Sequence, residues 1–250
     1  MRALVISDIH ANLQALEAVL QNAPSCDVVW NLGDIVGYGA NPNEVAAKAQ
    51  TLAGAVVRGN HDRACTGLAD IEEFSLFAAQ AAQWTKSVLT EPHRAWLAHL
   101  PSGPLQPAGA QAHLVHGSPL DEDEYLVFAQ DGRAALAAWH QRVTFFGHTH
   151  VQGGFATNGD DEFRLLPLYA SASAGDSHEL PLRKGARYLL NPGSVGQPRD
   201  GDWRAAFAIY DDALELFTWH RVPYDVAEAQ QRIRRAGLPD FLADRLSAGR

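Results

Sequence analysis

The chain alternates short runs of Val, Ile and Leu with longer amphipathic stretches, and the two periods predict different elements. Residues 3–7, 27–31 and 54–58 are short, apolar and β-branched, which predicts three strands. Between them, residues 13–21 and 43–52 repeat apolar positions at helical spacing, giving a βαβαβ start. The pattern is again helical over 69–100, with a break at Pro92. Strands are then predicted at 111–116 and 143–147, around a helix at 131–141. Five strand-like runs follow closely, at 151–156, 162–167, 186–191, 205–210 and 214–220, as in a meander. Helices at 225–236 and 239–246 complete the pattern. The polar, Gly- and Ser-containing segments 153–161 and 170–185 read as loops.

A βαβαβ half followed by a meander predicts an α/β protein in which two sheets pack together with helices outside. No internal repeat or linker-like tract divides it, so residues 1–250 read as one domain whose C-terminal helices span about 224–248. Composition is ordinary for a folded chain, with 46% hydrophobic and 20% charged residues, which excludes disorder and coiled coil as overall descriptions. A formal charge of −9 argues against a protein held on nucleic acid or an anionic membrane mainly by charge. No secretory signal and no transmembrane run is legible. Cys26 and Cys65 carry no CxxC spacing, so the expected address is the reducing cytoplasm.

The polar residues fall in a telling order. Asp8 and His10 follow the first predicted strand, Asp34 the second, and Asn60, His61 and Asp62 the third. His116-Gly117 and Gly147-His148-Thr149-His150 follow two later strands. Ligands of parallel α/β sheets gather at the carboxyl ends of strands, so these residues are expected to converge on one edge. Two aspartates, an asparagine and several histidines suit divalent ions with open coordination, such as Mn²⁺, Fe²⁺ or Zn²⁺, and no thiolate is placed to favour a structural zinc. The donor number suggests two ions, with Asp34 able to bridge metals ~3.5–4 Å apart.

Asp8-Ile9-His10, Gly33-Asp34, Gly59-Asn60-His61-Asp62, His116-Gly117 and Gly147-His148-Thr149-His150, in this order, resemble the calcineurin-like metallophosphoesterase superfamily over roughly residues 3–220. SDIHANLQAL from Ser7, GDIVGYGANPN from Gly33 and NPGSVG from Asn191 look like its small bacterial and archaeal phosphodiesterase-like, diadenosine-tetraphosphatase-related branch. The resemblance implies a four-layer α/β/β/α sandwich of two mixed sheets. It implies that Asp8, His10, Asp34 and His150 hold one metal and Asp34, Asn60, His116 and His148 the other. Mn²⁺ is the first expectation, with Fe, Zn, Ni or Co as alternatives. A metal-bridging hydroxide would attack phosphorus, and His61 would protonate the leaving oxygen, its ordinary pKa suiting that transfer near neutrality. Asp62 or a backbone carbonyl would orient His61, while Asn12 and the backbone amides of the Gly193-Ser194 turn would contact phosphate or the groups that support the ligands, and Asn60 would also contact phosphate. Asn12 could equally cap the first helix and Ser194 serve as a turn residue.

The sequence departs from that pattern at one place. Relatives with an Asp-Arg-Gly triplet after the bridging aspartate grip phosphate with its arginine, whereas Gly37-Tyr38-Gly39 stands here. A dianionic monoester gains most from such a fork, so its loss favours a diester, unless Arg58, Arg63 or Arg199 substitutes. The expected activity is therefore a phosphodiesterase acting on a small, nucleotide-like phosphate ester. A phosphomonoesterase (protein phosphatase or nucleotidase), a diadenosine polyphosphate hydrolase and a non-catalytic scaffold on the same fold are the alternatives. The acidic run 121–124 reads as a solvated loop, Tyr38 and Trp203 could stack on a base, and the remaining histidines receive no role.

Overall fold

The computed structural model describes residues 1–72, 74–159 and 161–250. Its elements run β1 (Arg2–Ile6), α1 (Leu13–Asn22), β2 (Val28–Asn31), α2 (Pro42–Leu52), β3 (Ala53–Val56), α3 (Asn60–Thr66), α4 (Leu76–Val88) and α5 (Glu91–Ala98). Then come β4 (Ala112–Leu114), α6 (Ala129–Ala138), β5 (Val143–Phe145), β6 (Gly153–Asn158), β7 (Asp161–Leu165), β8 (Asp176–Pro181) and β9 (Arg187–Asn191). β10 (Ala205–Asp211), β11 (Leu216–Val222), α7 (Val226–Arg235) and α8 (Asp240–Ala248) follow. One sheet has the order β3-β2-β1-β10-β11-β8 and the other β4-β5-β9-β6-β7. Both are mixed: β1, β2 and β3 are parallel and β10 joins β1 antiparallel, while β4, β5 and β9 are parallel and β6 joins β9 antiparallel.

The alternation of side chains along each strand builds the layers. Ala3 and Val5 of β1 face inward with Trp30, Ala208, Tyr210, Phe217 and Trp219, and meet Ala112, Leu114, Val143, Phe145, Tyr188 and Leu190 of the second sheet. Leu4 and Ile6 point the other way, into a core with Leu16 and Val19 of α1, Val45 of α2, Ile233 of α7 and Leu242 and Leu246 of α8. On the far side, Phe146, Phe155 and Leu189 pack under Leu136 of α6. Helices, sheet, sheet and helix form the expected four layers.

Several local expectations change. The helical stretch read over 69–100 divides into α4 and α5, broken at residues 89–90 and not at Pro92, which sits in the first turn of α5 where a missing N–H costs nothing. Glu73 of that stretch lies outside the described residues. α3 begins at Asn60, directly after the Gly59 that closes the β3 loop, ahead of the helical stretch read from residue 69. The strand read at 151–156 is β6, which extends to Asn158 into segment 153–161 read as a loop, and Asp160 of that segment lies outside the described residues. Segment 170–185 contains β8, paired antiparallel with β11 at the sheet edge. Its residues Asp-Ser-His-Glu-Leu-Pro alternate between half-buried and exposed, so an edge strand with a wet face reads as a polar loop.

Candidate metal centre

The carboxyl ends of β1, β2 and β3 in one sheet and of β4 and β5 in the other open onto the same crevice. Two groups of side chains able to hold a metal ion meet there: Asp8, His10, Asp34 and His150, and Asp34, His116 and His148, all buried. The donor atoms within each group lie within 4.8 Å of one another, and Asp34 belongs to both. Asn60 joins the second group, its Oδ1 lying 3.2 Å from His116 Nε2.

Backbone bonds tie these loops together. Asp8 N–H donates to Gly33 O (3.0 Å), His10 N–H to Asp34 O (2.9 Å) and Gly147 N–H to His116 O (2.8 Å). The peptides are bent hard to do so: of the eight non-glycine residues with positive φ among the described residues, Asp8, His10, Ala11, Asp34, Tyr38, His148 and His150 belong to this crevice. Each such residue costs on the order of 1–3 kcal/mol, and strain of this kind collects where side chains must be aimed. Gly59 follows from the same crowding, since a Cβ there would lie 2.0 Å from Asp34 Oδ1.

All four histidines are oriented alike. Nδ1 of His10, His116 and His150 donates to the carbonyls of Val36 (3.1 Å), Leu32 (2.8 Å) and Gln197 (2.6 Å), and Nε2 of His148 donates to that of Asp123 (3.1 Å). A carbonyl only accepts, so the other nitrogen of neutral His10, His148 and His150 presents its lone pair to the centre, and that of His116 does so once a cation replaces its second proton. His10 Nε2 and His150 Nε2 then face each other at 3.1 Å, and His116 Nε2 faces the Asn60 carbonyl oxygen. Lone pairs held this close need positive charge between them, which is the donor chemistry of a cation site.

The electrostatics agree. Burial pushes the pKa values of His10 and His150 well down and that of His148 down to about 3, keeping them neutral. Burial raises Asp8 to about 7, with the Asp34 charge adding to it. Burial opposes charge on Asp34 and on His116 alike. The histidines nevertheless hold Asp34 well below the usual carboxylate range, and Asp34 and Asp8 raise His116 to about 10. The carboxylates draw positive charge to this spot.

His61 stands beside the cluster. Its N–H donates to Asp34 Oδ1 (2.8 Å), and its ring lies 4.9 Å from His10, 4.4 Å from Tyr38 and 4.7 Å from Phe74. Nδ1 is buried without a partner, and Gly37, whose φ is +91°, leaves the space that a Cβ would fill 2.6 Å from it. Burial, reinforced by Arg199 and His116, lowers the His61 pKa to about 4, not the ordinary value expected from sequence.

Asp62 does not orient His61. Its carboxylate accepts from the N–H groups of Ile35 (2.9 Å), Val36 (3.2 Å) and Gly59 (3.0 Å), bracing the turn that carries Asp34. A carboxyl group beside three close backbone donors accepts from them, and no hydrogen bond joins it to the His61 ring. Asp62→Ala strands three buried N–H groups and is expected to cost about 3 kcal/mol or more, read as a lower midpoint in denaturant at unchanged slope. Asn12 caps α1 by accepting from Ala15 N–H and donates to Gly196 O, so both ends of its amide are engaged within the chain. Ser194 Oγ donates to Asp8 O and accepts from Gln197 N–H, and Gly193 N–H donates to Asn191 Oδ1. These three hold the loops of the centre together.

The acidic run is not a free loop. Glu122 takes a bidentate bond from Arg58 (3.0 and 2.8 Å), Arg63 binds both Glu122 and Asp123, and Asp123 O receives His148. Arg58 and Arg63 are therefore occupied by carboxylates. Sequence reading missed Tyr125, stacked 3.7 Å from His148, and Asn191, whose amide donates to Gly147 O and Thr149 Oγ1. Tyr125 directly follows the acidic run 121–124 that reads as solvated, whereas Asn191 opens the quoted NPGSVG run.

A two-sheet α/β/β/α sandwich with a buried Asp/His/Asn cluster at converging strand ends defines the class of metal-binding phosphoesterases. The calcineurin-like phosphoesterase superfamily domain matches residues 1–212, and the chain belongs to that superfamily. It is 34% identical to MJ0912 of Methanocaldococcus jannaschii, described as an uncharacterized protein, over 98% of this chain and 97% of that one. The crystal structure of a metallophosphoesterase from Sphaerobacter thermophilus is similar with a TM-score of 0.84 and 40% identity, covering 100% of this chain and 99% of the other. A hypothetical protein, PH1004, from Pyrococcus horikoshii OT3 shares the fold with a TM-score of 0.73 and 18% identity, covering 100% and 98%. Among the described residues no helix is long and apolar enough to cross a membrane.

Proposed function

We propose that the protein is a dinuclear metal-dependent phosphoesterase of the cytoplasm that prefers small phosphodiesters, nucleotide-like in character. The observation that carries this reading is the pair of buried donor groups sharing Asp34, with every histidine fixed by a carbonyl on its outer nitrogen. Asp8, His10, Asp34 and His150 would hold one divalent ion, and Asp34, Asn60, His116 and His148 the other, Mn²⁺ being the first candidate and Fe, Zn, Ni or Co the others. When bound, two such ions supply Lewis-acid charge to phosphoryl oxygens and lower the pKa of an attacking water.

The chain's own residues do the rest. Asp34 fixes the spacing of the two groups and, through the His61 N–H, the place of the ring. His61 lines the cleft, and with Nδ1 buried against Gly37 its Nε2, which has no hydrogen-bond partner among the described residues, is the nitrogen that can hold a proton for a leaving alkoxide. A low pKa makes it a strong acid, and the negative charge of a bound ester beside it draws the proton back on. Arg58 and Arg63 are held by Glu122 and Asp123, so of the three arginines that could replace the absent Asp-Arg-Gly arginine only Arg199 stays free of carboxylates among the described residues, and the diester preference requires that Arg199 engage a group other than the scissile phosphate.

Protein stripped of metal and reloaded with Mn²⁺ should hydrolyse bis-p-nitrophenyl phosphate roughly ten-fold or more faster than p-nitrophenyl phosphate, the scale of one charge-assisted contact. Faster monoester hydrolysis would make the protein a phosphomonoesterase. No turnover with two ions bound per chain would favour the scaffold.

A further inference from the structure

The cleft beside the centre has a volume of about 690 Å³ and is lined by Asn60, His61 and His148 together with Arg63, Arg199 and Arg245. Arg63 is held by carboxylates, but Arg199 and Arg245 have no acidic side chain within ion-pair distance among the described residues. Arg199 donates one bond to Gln197 Oε1 (2.8 Å), keeps a buried Nε without a partner and holds its guanidinium 5.7 Å from the Tyr38 ring. Arg245 donates from Nε to the carbonyl of Arg250 and lies 5.4 Å from the Phe241 ring. Burial lowers its pKa to about 10, with the charge of Arg199 adding to the effect, so it remains a cation at neutral pH. Asp70, Glu72 and Asp123 line the same cleft; Asp123 holds Arg63, and Asp70 Oδ1 accepts from the N–H groups of Ile71 and Glu72.

The two arginines are fixed in place from different parts of the chain. Arg199 N–H donates to His150 O (3.1 Å), which ties it to a ligand loop. Arg245 stands on α8, beyond the residues matched by the superfamily domain, and Gly201 N–H donates to Gly249 O (2.9 Å), fastening the end of α8 to the loop that carries Arg199. Two guanidinium groups facing one cleft, in a chain of net charge −9, repel each other unless an anion lies between them.

Resting on the phosphoesterase reading above, we propose that Arg199 and Arg245 form a second phosphate subsite, so that the preferred substrate carries a phosphate group besides the scissile one. That group is either joined to the scissile phosphate as an anhydride or attached elsewhere on the same molecule. Fork-shaped guanidinium donors suit phosphate oxygens, and the aromatic faces of Tyr38 and Phe241 hold the two forks in place.

The test is calorimetric titration of the full-length Mn²⁺-loaded protein with two ligand pairs: imidodiphosphate against inorganic phosphate, and adenosine 3′,5′-bisphosphate against 5′-AMP. The bisphosphate of at least one pair should bind roughly ten-fold or more tighter than its reference, and the pair that does so names the attachment. R199A and R245A should each bring that ratio close to unity, while R245K, which keeps helix and charge, should retain part of it and decides the matter if R245A does not fold. A preference that survives both alanine variants belongs to the metal ions and overturns the subsite, as does equal binding within both pairs. Hydrolysis of bis-p-nitrophenyl phosphate by the same preparations separates the two readings. Turnover without the preference removes the subsite and leaves the phosphoesterase; an arginine-dependent preference without turnover does the reverse.

Discussion

Asp34→Asn is expected to leave the chain with fewer than one bound ion and to lower the stability of the metal-free protein. Both effects have one cause. Asp34 is shared by the two donor groups, and its Oδ2 lies 3.5 Å from Nε2 of His10 and 3.5 Å from Nε2 of His116. Asparagine keeps the size of the side chain and one acceptor, so the His61 N–H need not lose its partner, but it removes the only negative charge common to both groups. Removing an outer partner of a ligand typically costs ~10–100-fold in affinity or activity; removal of the shared ligand is expected to exceed that, at ~10³-fold or more in turnover. Without metal, burial raises the Asp8 and Asp62 pKa values to about 7, and the nearby Asp34 charge adds to both shifts. Neutralising Asp34 relieves that repulsion but gives up the attraction of the histidines, which is the larger effect because it holds the Asp34 pKa well below the usual carboxylate range in spite of burial. Elemental analysis and thermal melts with and without Mn²⁺ check both halves. The wild type should gain stability on adding Mn²⁺, whereas the variant should start lower and gain little. Two ions per chain in Asp34→Asn would end the bridging assignment.

The strand ends were legible because the ligand-bearing loops are short. Asp8 lies two residues beyond β1 and Asp34 three beyond β2, so locating a strand nearly locates its ligand. Layer order was legible for a similar reason: β1 alternates Ala3 and Val5 against Leu4 and Ile6, and two faces, each apolar, require cover on both sides. What stayed hidden depends on contacts distant in sequence. β8 is polar because it is an edge, and only its pairing with β11 makes it a strand. Asp62 sits next to His61 in sequence, yet its neighbours in space are the N–H groups of Ile35 and Val36. Arg245 stands 46 residues beyond Arg199, and nothing in the composition of α8 says that its helix closes over the cleft. A pKa is the least legible quantity of all, because the burial that lowers His61 to about 4 comes from Phe74, Tyr38 and His10 on three separate segments.

His61→Ala should keep both ions and lose turnover in proportion to how badly the leaving group needs a proton. The ring is not among the metal-holding groups, and its backbone N–H, which alanine retains, makes the bond to Asp34. Metal content should therefore match the wild type. With an alkyl leaving group, where an unprotonated alkoxide is expelled slowly, the variant should fall ~10²–10⁴-fold, the usual range for one general acid. With p-nitrophenolate, which departs without a proton at neutral pH, the loss should be far smaller. The contrast between the two leaving groups separates proton donation from mere packing, because loss of the Tyr38 and Phe74 contacts would slow both substrates alike. His61→Gln, similar in reach and unable to supply a proton at neutral pH, should behave as alanine does if proton donation is the role and as wild type if the ring only fills space. Equal losses on both leaving groups in either variant would move His61 from acid to support, and leave protonation of the leaving oxygen to solvent.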